Sequence, residues 1–388
     1  MLLLKDNKFY FLLYLFLTGI GDGLFFLGVG KLLSTRMEFL LGASLMFIIN
    51  ELAKLSFQFL ASTFETELSM KNSIVFSELF QSCFLISVVI FSFNIFSANI
   101  IILSLVILNF FDGLSKVAEF HLTMEIFSPE ERKKFNSYIT SINQTSKIFG
   151  FILGGCIIAA DKYELLFILN AVSFILSGSS ALQIHLKDKK IKVQSSWREL
   201  FNQENYHILV YTFIIASNTV VLSSNAILGF NLSLVNVKQT IAYQVANALG
   251  STISILFIRY SMKWNRNENM LVVAGIFFQG ILFLSFNFLE GYSKAFAFIV
   301  ISIISFFNLS LYITKLQNYA EKKFGGKIYS VRQLNRAIFN LFGISALTAL
   351  SLQLKVDYQN IVAIFCFFIC GLNMFLIKNR IITYIPSS

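Results

Sequence analysis

The chain alternates long apolar stretches with short polar breaks, and the stretches have the length of membrane-spanning helices. Residues 165–186 hold 22 positions without Asp, Glu, Lys or Arg, 239–258 hold 20, 269–289 hold 21 and 295–314 hold 20. The runs 337–354 and 358–377 add 18 and 20. A helix needs about 20 mostly apolar residues to cross roughly 30 Å of hydrocarbon, so each run predicts one span. Two runs of 33 residues, 79–111 and 205–237, exceed one straight helix and each must include a turn. Three further spans carry isolated charges: 9–29 with Asp22, 39–62 with Glu51 and Lys54, and 136–159 with Lys147. The pattern predicts an all-α membrane protein with 12 transmembrane helices in two six-helix bundles. The bundles are expected over 1–186 and 206–388, joined by a charged cytoplasmic linker at 187–205. Two such halves are the layout of a transporter built from structural repeats.

Composition agrees with that pattern. Of 388 residues 56% are apolar and only 13% charged, with a mean hydropathy of +0.70. A soluble domain carries about 25% charged residues, so most of this chain cannot face water. The net charge of +10 is unusual in such an apolar protein. With the N-terminus placed inside, the inner segments hold 21 Lys and Arg, the outer loops 6, and the spans the remaining 4. Lys and Arg stay on the cytoplasmic side, so both termini are expected there, in a multi-pass protein of the cell inner membrane. The inner segments also hold 11 acidic residues, which leaves them with the whole excess of +10. The charge therefore reports topology. Scattered over short segments, it does not form the basic groove of a nucleic-acid binder.

Several chemistries find no support. The first apolar stretch lacks an Ala-x-Ala cleavage site and reads as a span. Cys83, Cys156, Cys366 and Cys370 all fall within spans and read as buried free thiols. His121, His185 and His207 have no metal-ligand spacing. The Gly-Gly-Lys at 325–327 lacks the upstream Gly and the following Ser or Thr of a phosphate-binding loop. No enzyme, ATP-driven pump, metal or cofactor is expected.

Ionisable residues inside spans mark pathways or partners. Asp22, among Gly19, Gly21 and Gly23, reads in two ways: a carboxylate that exchanges a proton or meets a cationic solute, or a hydrogen-bonded group in a glycine-rich helix contact. Asp112, Lys116 and Glu119 at i, i+4 and i+7 share one helix face, either as an ion-paired stripe or as solute ligands. Glu51 and Lys54 at i, i+3 read as a mutually neutralising pair. Lys147 either needs a carboxylate partner, with Asp22, Glu51 and Asp112 as candidates, or snorkels to the inner interface. Proton-coupling candidates are thus Asp22, Asp112 and Glu51, and buried-cation candidates Lys147, Lys54 and Lys116. In the second half Asn218, Asn225, Gln244 and Asn308 are candidates to line a cavity, with interhelical hydrogen bonds as the alternative.

Residues 129–156 run from Pro129 through an acidic and basic cluster to Asn136, Gln144, Gly150, Gly154 and Gly155. This stretch resembles the major facilitator superfamily, in its 12-helix drug- and macrolide-efflux branch, where a Gly-Pro-x-x-Gly-Gly antiporter motif occupies the fifth helix. Phe151 stands in the place of the motif's proline. Residues 169–177 and 19–24 resemble that branch's sixth and first helices, and Asp22 would be its membrane acid. The loop after the second helix keeps only Glu65 and Lys71 as counterparts of the family's gating signature.

The resemblance implies a secondary active transporter, two helix bundles around a central cavity with alternating access, and proton-coupled export of a drug or antibiotic-like small molecule. Two alternatives remain within transport: export of a self-made peptide antibiotic that confers immunity, or of a siderophore. A non-transporting membrane enzyme or assembly factor is the alternative outside it. The partners expected are a small-molecule or peptide substrate and the lipid bilayer, with the chain acting as a monomer.

Overall fold

The structure, a computed structural model, describes residues 2–36, 39–64, 70–91, 97–185, 206–232, 237–261, 268–323 and 326–378. The expected linker 187–205 and the gating candidate Glu65 lie outside the described residues. Within them the chain forms twelve α-helices: α1 (Leu2–Arg36), α2 (Phe39–Phe64), α3 (Met70–Ile90), α4 (Ala98–Ile126), α5 (Pro129–Ala159) and α6 (Tyr163–Leu182). They continue with α7 (Tyr206–Leu232), α8 (Val237–Ser261), α9 (Glu268–Ser285), α10 (Tyr292–Lys323), α11 (Gly326–Leu354) and α12 (Tyr358–Lys378). Nine of the twelve contain a stretch long and apolar enough to cross a membrane. In α9 the corresponding stretch, Met270–Ser285, is shorter. Outside the nine also fall α2, interrupted by Glu51 and Lys54, and α8, which carries Gln244, Asn247, Ser251 and Ser254.

Two differences from the sequence pattern have physical reasons. α1 runs on to Arg36, so Lys31, expected in an outer loop, is a buried helical residue. Cys83 and Cys156 are exposed, although all four thiols were expected buried; only Cys366 and Cys370 are. On an apolar helix the exposed face is compatible with lipid, so a thiol there needs no burial among side chains.

The chain divides into two compact units. One comprises Met1–Lys192 with Phe230–Leu249, the other Val193–Gly229 with Gly250–Ser388. In the first, α1 is the central element and packs on α5 and α6, while α3 packs on α6 and α4, and α2 on α4. Phe11, Tyr14, Leu15, Ile74, Leu122 and Phe127 form its apolar core, joining α1, α3 and α4. The second unit is tied by neutral polar pairs. Asn225 donates to Ser302 (3.1 Å), Gln279 to Ser305 (2.6 Å), Asn335 to Thr212 (2.6 Å) and Tyr358 to Ser224 (3.2 Å).

The start of α1 is pinned at two places. The Asn7 amide donates to the His185 carbonyl (2.7 Å) and accepts from the His185 N–H (2.8 Å), holding α1 to the end of α6. Lys8 reaches Glu131 at 2.7 Å and lies over the rings of Phe127 and Phe135, which are stacked 3.9 Å apart. Glu131 also accepts the N–H of Ser128 and so caps the start of α5. The Lys8 bond first, and then the backbone bond from Ser128, hold the Glu131 carboxyl below its ordinary range. A carboxylate with a depressed value stabilises the fold above its unfolded value of about 4.3, and that contribution is lost as pH falls through the lower folded value. Glu131→Gln should therefore lower the melting temperature of the purified protein at pH 7. The gap to the parent should shrink as the buffer is acidified below about pH 4, and a gap independent of pH would refute this anchoring role.

Candidate functional site

The first unit buries a set of charges inside its apolar helices. Tyr14, Thr18 and Asp22 stand at i, i+4 and i+8 and so share one face of α1. On α4, Asp112, Lys116 and Glu119 share another. Between them Tyr14 donates its hydroxyl to Glu119 Oε1 (2.8 Å), and Lys116 donates to the same oxygen (2.7 Å). Lys116 stands 3.9 Å from Asp112 Oδ1, whose other oxygen holds Lys54 of α2 at 2.5 Å. The stripe on α4 is therefore ion-paired, as its spacing predicts. Lys54 crosses to α4, so its neutralisation does not come only from Glu51 on its own helix. The result is one continuous chain, Lys54–Asp112–Lys116–Glu119–Tyr14, that links α2, α4 and α1.

A second carboxylate site lies on α3. Glu78 is 1% exposed and accepts at Oε2 from Thr18 of α1 (3.3 Å) and, through a very short bond, from Ser177 of α6. Among the described residues no cation stands within 4.0 Å of it. The sequence pattern does not single out Glu78, because its partners are 60 and 99 residues away. One signal existed: Glu78 lies well inside the apolar helix 70–90, while the charge-free run beginning at residue 79 makes it look like a boundary.

Asp22 sits near the middle of the apolar stretch Asn7–Leu33 of α1. Charges of both signs act on it, those of Asp112 and Glu78 and those of Lys116, Lys147 and Lys54. On Lys147 of α5 the strongest charge is that of Asp22. The two nonetheless make no ion pair within 4.0 Å, and both remain partly exposed. Glu51 of α2 is buried. Gln144 is half-buried on α5, Lys71 stands at the start of α3, and Asn136 lies on α5. In the second unit Asn218 and Asn308 are buried with neither amide atom bonded, and Asn225 holds Ser302. Gln244 is buried on α8. Among the described residues no group of three or more His, Cys, Asp or Glu is placed to hold a metal ion.

The Major Facilitator Superfamily model matches residues 11–344. The chain belongs to this superfamily. It is a secondary transporter and not an enzyme, and it is a multi-pass membrane protein. An uncharacterized MFS-type transporter, YfmI of Bacillus subtilis (strain 168), is 24% identical over 164 residues. That match covers 39% of this chain and 40% of the relative's length. Among solved structures, a bacterial homologue of the iron transporter ferroportin, outward-facing with soaked iron, superposes with a TM-score of 0.65 at 14% identity, over 96% of this chain and 98% of that one. A single-residue variant of the E. coli fucose:proton symporter FucP gives 0.61 at 12% identity, over 94% and 97%. Likeness at these identities concerns the fold.

The superfamily-like glycines of α5 do specific work in this chain. A Cβ on Gly150 would lie 2.8 Å from both the Gly23 Cα and the Leu24 N–H nitrogen of α1. The two backbones touch there, and neither can yield. Gly154 would meet Leu24 no closer than 3.5 Å, an ordinary contact. Gly155 faces the flexible Ile241 side chain of α8. Without a hydrophobic force between helices in lipid, such close small-residue contacts carry the packing. Gly150→Ala should thus destabilise the purified protein by about 1–3 kcal/mol, whereas Gly154→Ala leaves its melting temperature unchanged. Equal effects of the two would contradict the backbone contact.

The ion-pair chain makes its own prediction. Lys54→Met leaves Asp112 with Lys116 alone at 3.9 Å. Both side chains of the lost pair are partly exposed, so the loss should lie between the ~1 kcal/mol of a surface pair and the ~3 kcal/mol of a buried one. The double variant Lys54→Met with Asp112→Asn should recover part of that loss. A double variant as unstable as the sum of the singles would show that the pair is not coupled.

Proposed function

We propose that the protein is a proton-coupled exporter of a drug or antibiotic-like small molecule in the cell inner membrane, with both termini cytoplasmic and access alternating between its two sides. The observation that carries this reading is Asp22, a carboxylate in the middle of an apolar helix with no cation within 4.0 Å among the described residues. Membrane carboxylates of this kind mark ion and proton pathways. Asp112 and Glu119 are held by lysines, so an exchangeable proton falls to Asp22 and the acid core around it. The fucose:proton symporter shares the fold and, by its name, moves protons with its cargo. The ferroportin homologue carries soaked iron, whereas the described residues of this chain offer no cluster suited to a metal ion.

Sensitivity of a deletion strain to a panel of antibiotics and peptide antibiotics, with and without a protonophore, tests the export reading. Deletion should sensitise cells to at least one compound, and the protonophore should abolish the protection that the parent gene gives. Asp22→Asn should express at parental level and lose gradient-driven efflux at least tenfold. Full proton-driven efflux by Asp22→Asn would sink the assignment of coupling to this residue.

A further inference from the structure

The charged side chains gathered around α1 and α4 in the first unit are unevenly served. Asp112 holds Lys54 and Lys116, Glu119 holds Lys116 and Tyr14, and Glu78 takes the hydroxyls of Thr18 and Ser177. Asp22 and Lys147, by contrast, have neither a hydrogen bond nor an ion pair among the described residues. They carry opposite charge, and Asp22 exerts the strongest charge on Lys147. Both are partly exposed, whereas Glu78 is sealed. Nearby, Asn170 of α6 lies against Gly21, next to Asp22 in the chain. Its amide nitrogen is fully buried and has no acceptor.

The two groups come from helices in direct backbone contact. Asp22 projects from the α1 face shared with Tyr14 and Thr18, which meets the acids of α4 and α3. Lys147 belongs to α5, whose approach to α1 is already closed at backbone contact by Gly23 and Gly150. Lys147 itself stands at that contact, since a Cβ on Gly23, the residue after Asp22, would lie 2.7 Å from its carbonyl oxygen, so the two groups flank one backbone contact without pairing across it.

We propose that Asp22 and Lys147 are the two poles of a binding site for a zwitterionic solute, an amino acid or short peptide with both termini free, whose ammonium meets Asp22 and whose carboxylate meets Lys147. Charge balance favours this class over a simple ion. Charges of both signs surround each pole: Asp22 and Asp112 with Lys54 and Lys116 act on Lys147, and Asp112 with Lys116, Lys147 and Lys54 acts on Asp22, so neither a lone anion nor a lone cation meets a one-sided surplus. Either would add a net charge to an apolar core, and desolvating an uncompensated charge is strongly unfavourable. A zwitterion satisfies both open groups and leaves the net charge of the core unchanged on loading and release. The spare N–H of Asn170 is available to the same solute.

This inference rests on the transporter reading, but its test needs no gradient. The purified full chain in detergent is melted with amino-acid and dipeptide libraries bearing free termini, and with the same libraries N-acetylated or C-amidated. At least one free-termini pool should raise the melting temperature by several degrees, and neither capped form should. Asp22→Asn and Lys147→Met should each lose the response, while Lys147→Arg keeps it. The melting curves of the unliganded variants establish that they are folded. No shift with any free-termini pool, an equal shift with a capped pool, or a response retained by Lys147→Met would overturn the site. Protonophore-sensitive export alongside a missing shift overturns this site alone. A clean zwitterion response without proton-dependent export overturns the coupling reading alone.

Discussion

The constraint on which the first unit depends is that polar groups placed in an apolar bundle need partners, and two of those partners reach across from another helix, Lys54 to Asp112 and Tyr14 to Glu119. Two unit charges 4 Å apart attract by about 4 kcal/mol at the effective dielectric typical of proteins. Lys54, Asp112, Lys116 and Glu119 therefore fix the positions of α2 and α4, and Tyr14 extends that fixation to α1. A slide of α2 or α1 by one helical turn along α4, about 5.4 Å, would break the two contacts that cross between helices, Lys54–Asp112 and Tyr14–Glu119. Apolar packing against lipid-like surroundings could not enforce such a register, since one greasy face is as good as the next.

The glycines supply the complementary, steric half of the arrangement. Gly23 and Gly150 bring α1 and α5 to backbone contact, and Gly21 lets Asn170 and Ser173 of α6 approach the opposite side. Asp22 lies between Gly21 and Gly23. Its main chain is thus clamped from two directions, while its position lies on the α1 face of Tyr14 and Thr18, which bond Glu119 of α4 and Glu78 of α3. The same local sequence that makes α1 thin enough to sit at the centre of the unit also puts an acid there. Sequence, packing and chemistry are linked at this one turn.

How much of this could be read beforehand depends on sequence separation. Charge-free runs give helix positions because the spacing of charges is a local property. The face shared by Asp112, Lys116 and Glu119 follows from spacings of four and three within one helix, and their ion pairing is what the structure has. Glu78 was not legible, because Thr18 and Ser177 come from helices far along the chain and neither is a charge. Lys54 reads as served by Glu51, three residues before it, and the structure adds an ion pair with Asp112, 58 positions further on, that no local spacing reveals. The end of α1 was misjudged for a related reason. Lys31 reads as a loop residue because it is charged, but here burial and helix continue past it.

The two units solve the problem of buried polarity differently, and the difference bears on function. Apart from Arg332 and Arg336 on α11, the described polar interior of the second unit consists of amides and hydroxyls such as Asn225 with Ser302 and Gln279 with Ser305. A neutral hydrogen bond contributes about 1 kcal/mol net, and exchanging one for another moves no charge through an apolar medium. A buried ion pair cannot rearrange so freely, because opening it exposes each partner to several kcal/mol of desolvation. In the first unit only a matching event, such as arrival of a proton or of a solute with charges of its own, can shift the balance. On the reading of Asp22 as the coupling acid, the first unit is thus the one whose charge balance an ion would alter. The open poles Asp22 and Lys147 are where the first unit's balance is most readily changed, since no ion pair has to be broken first.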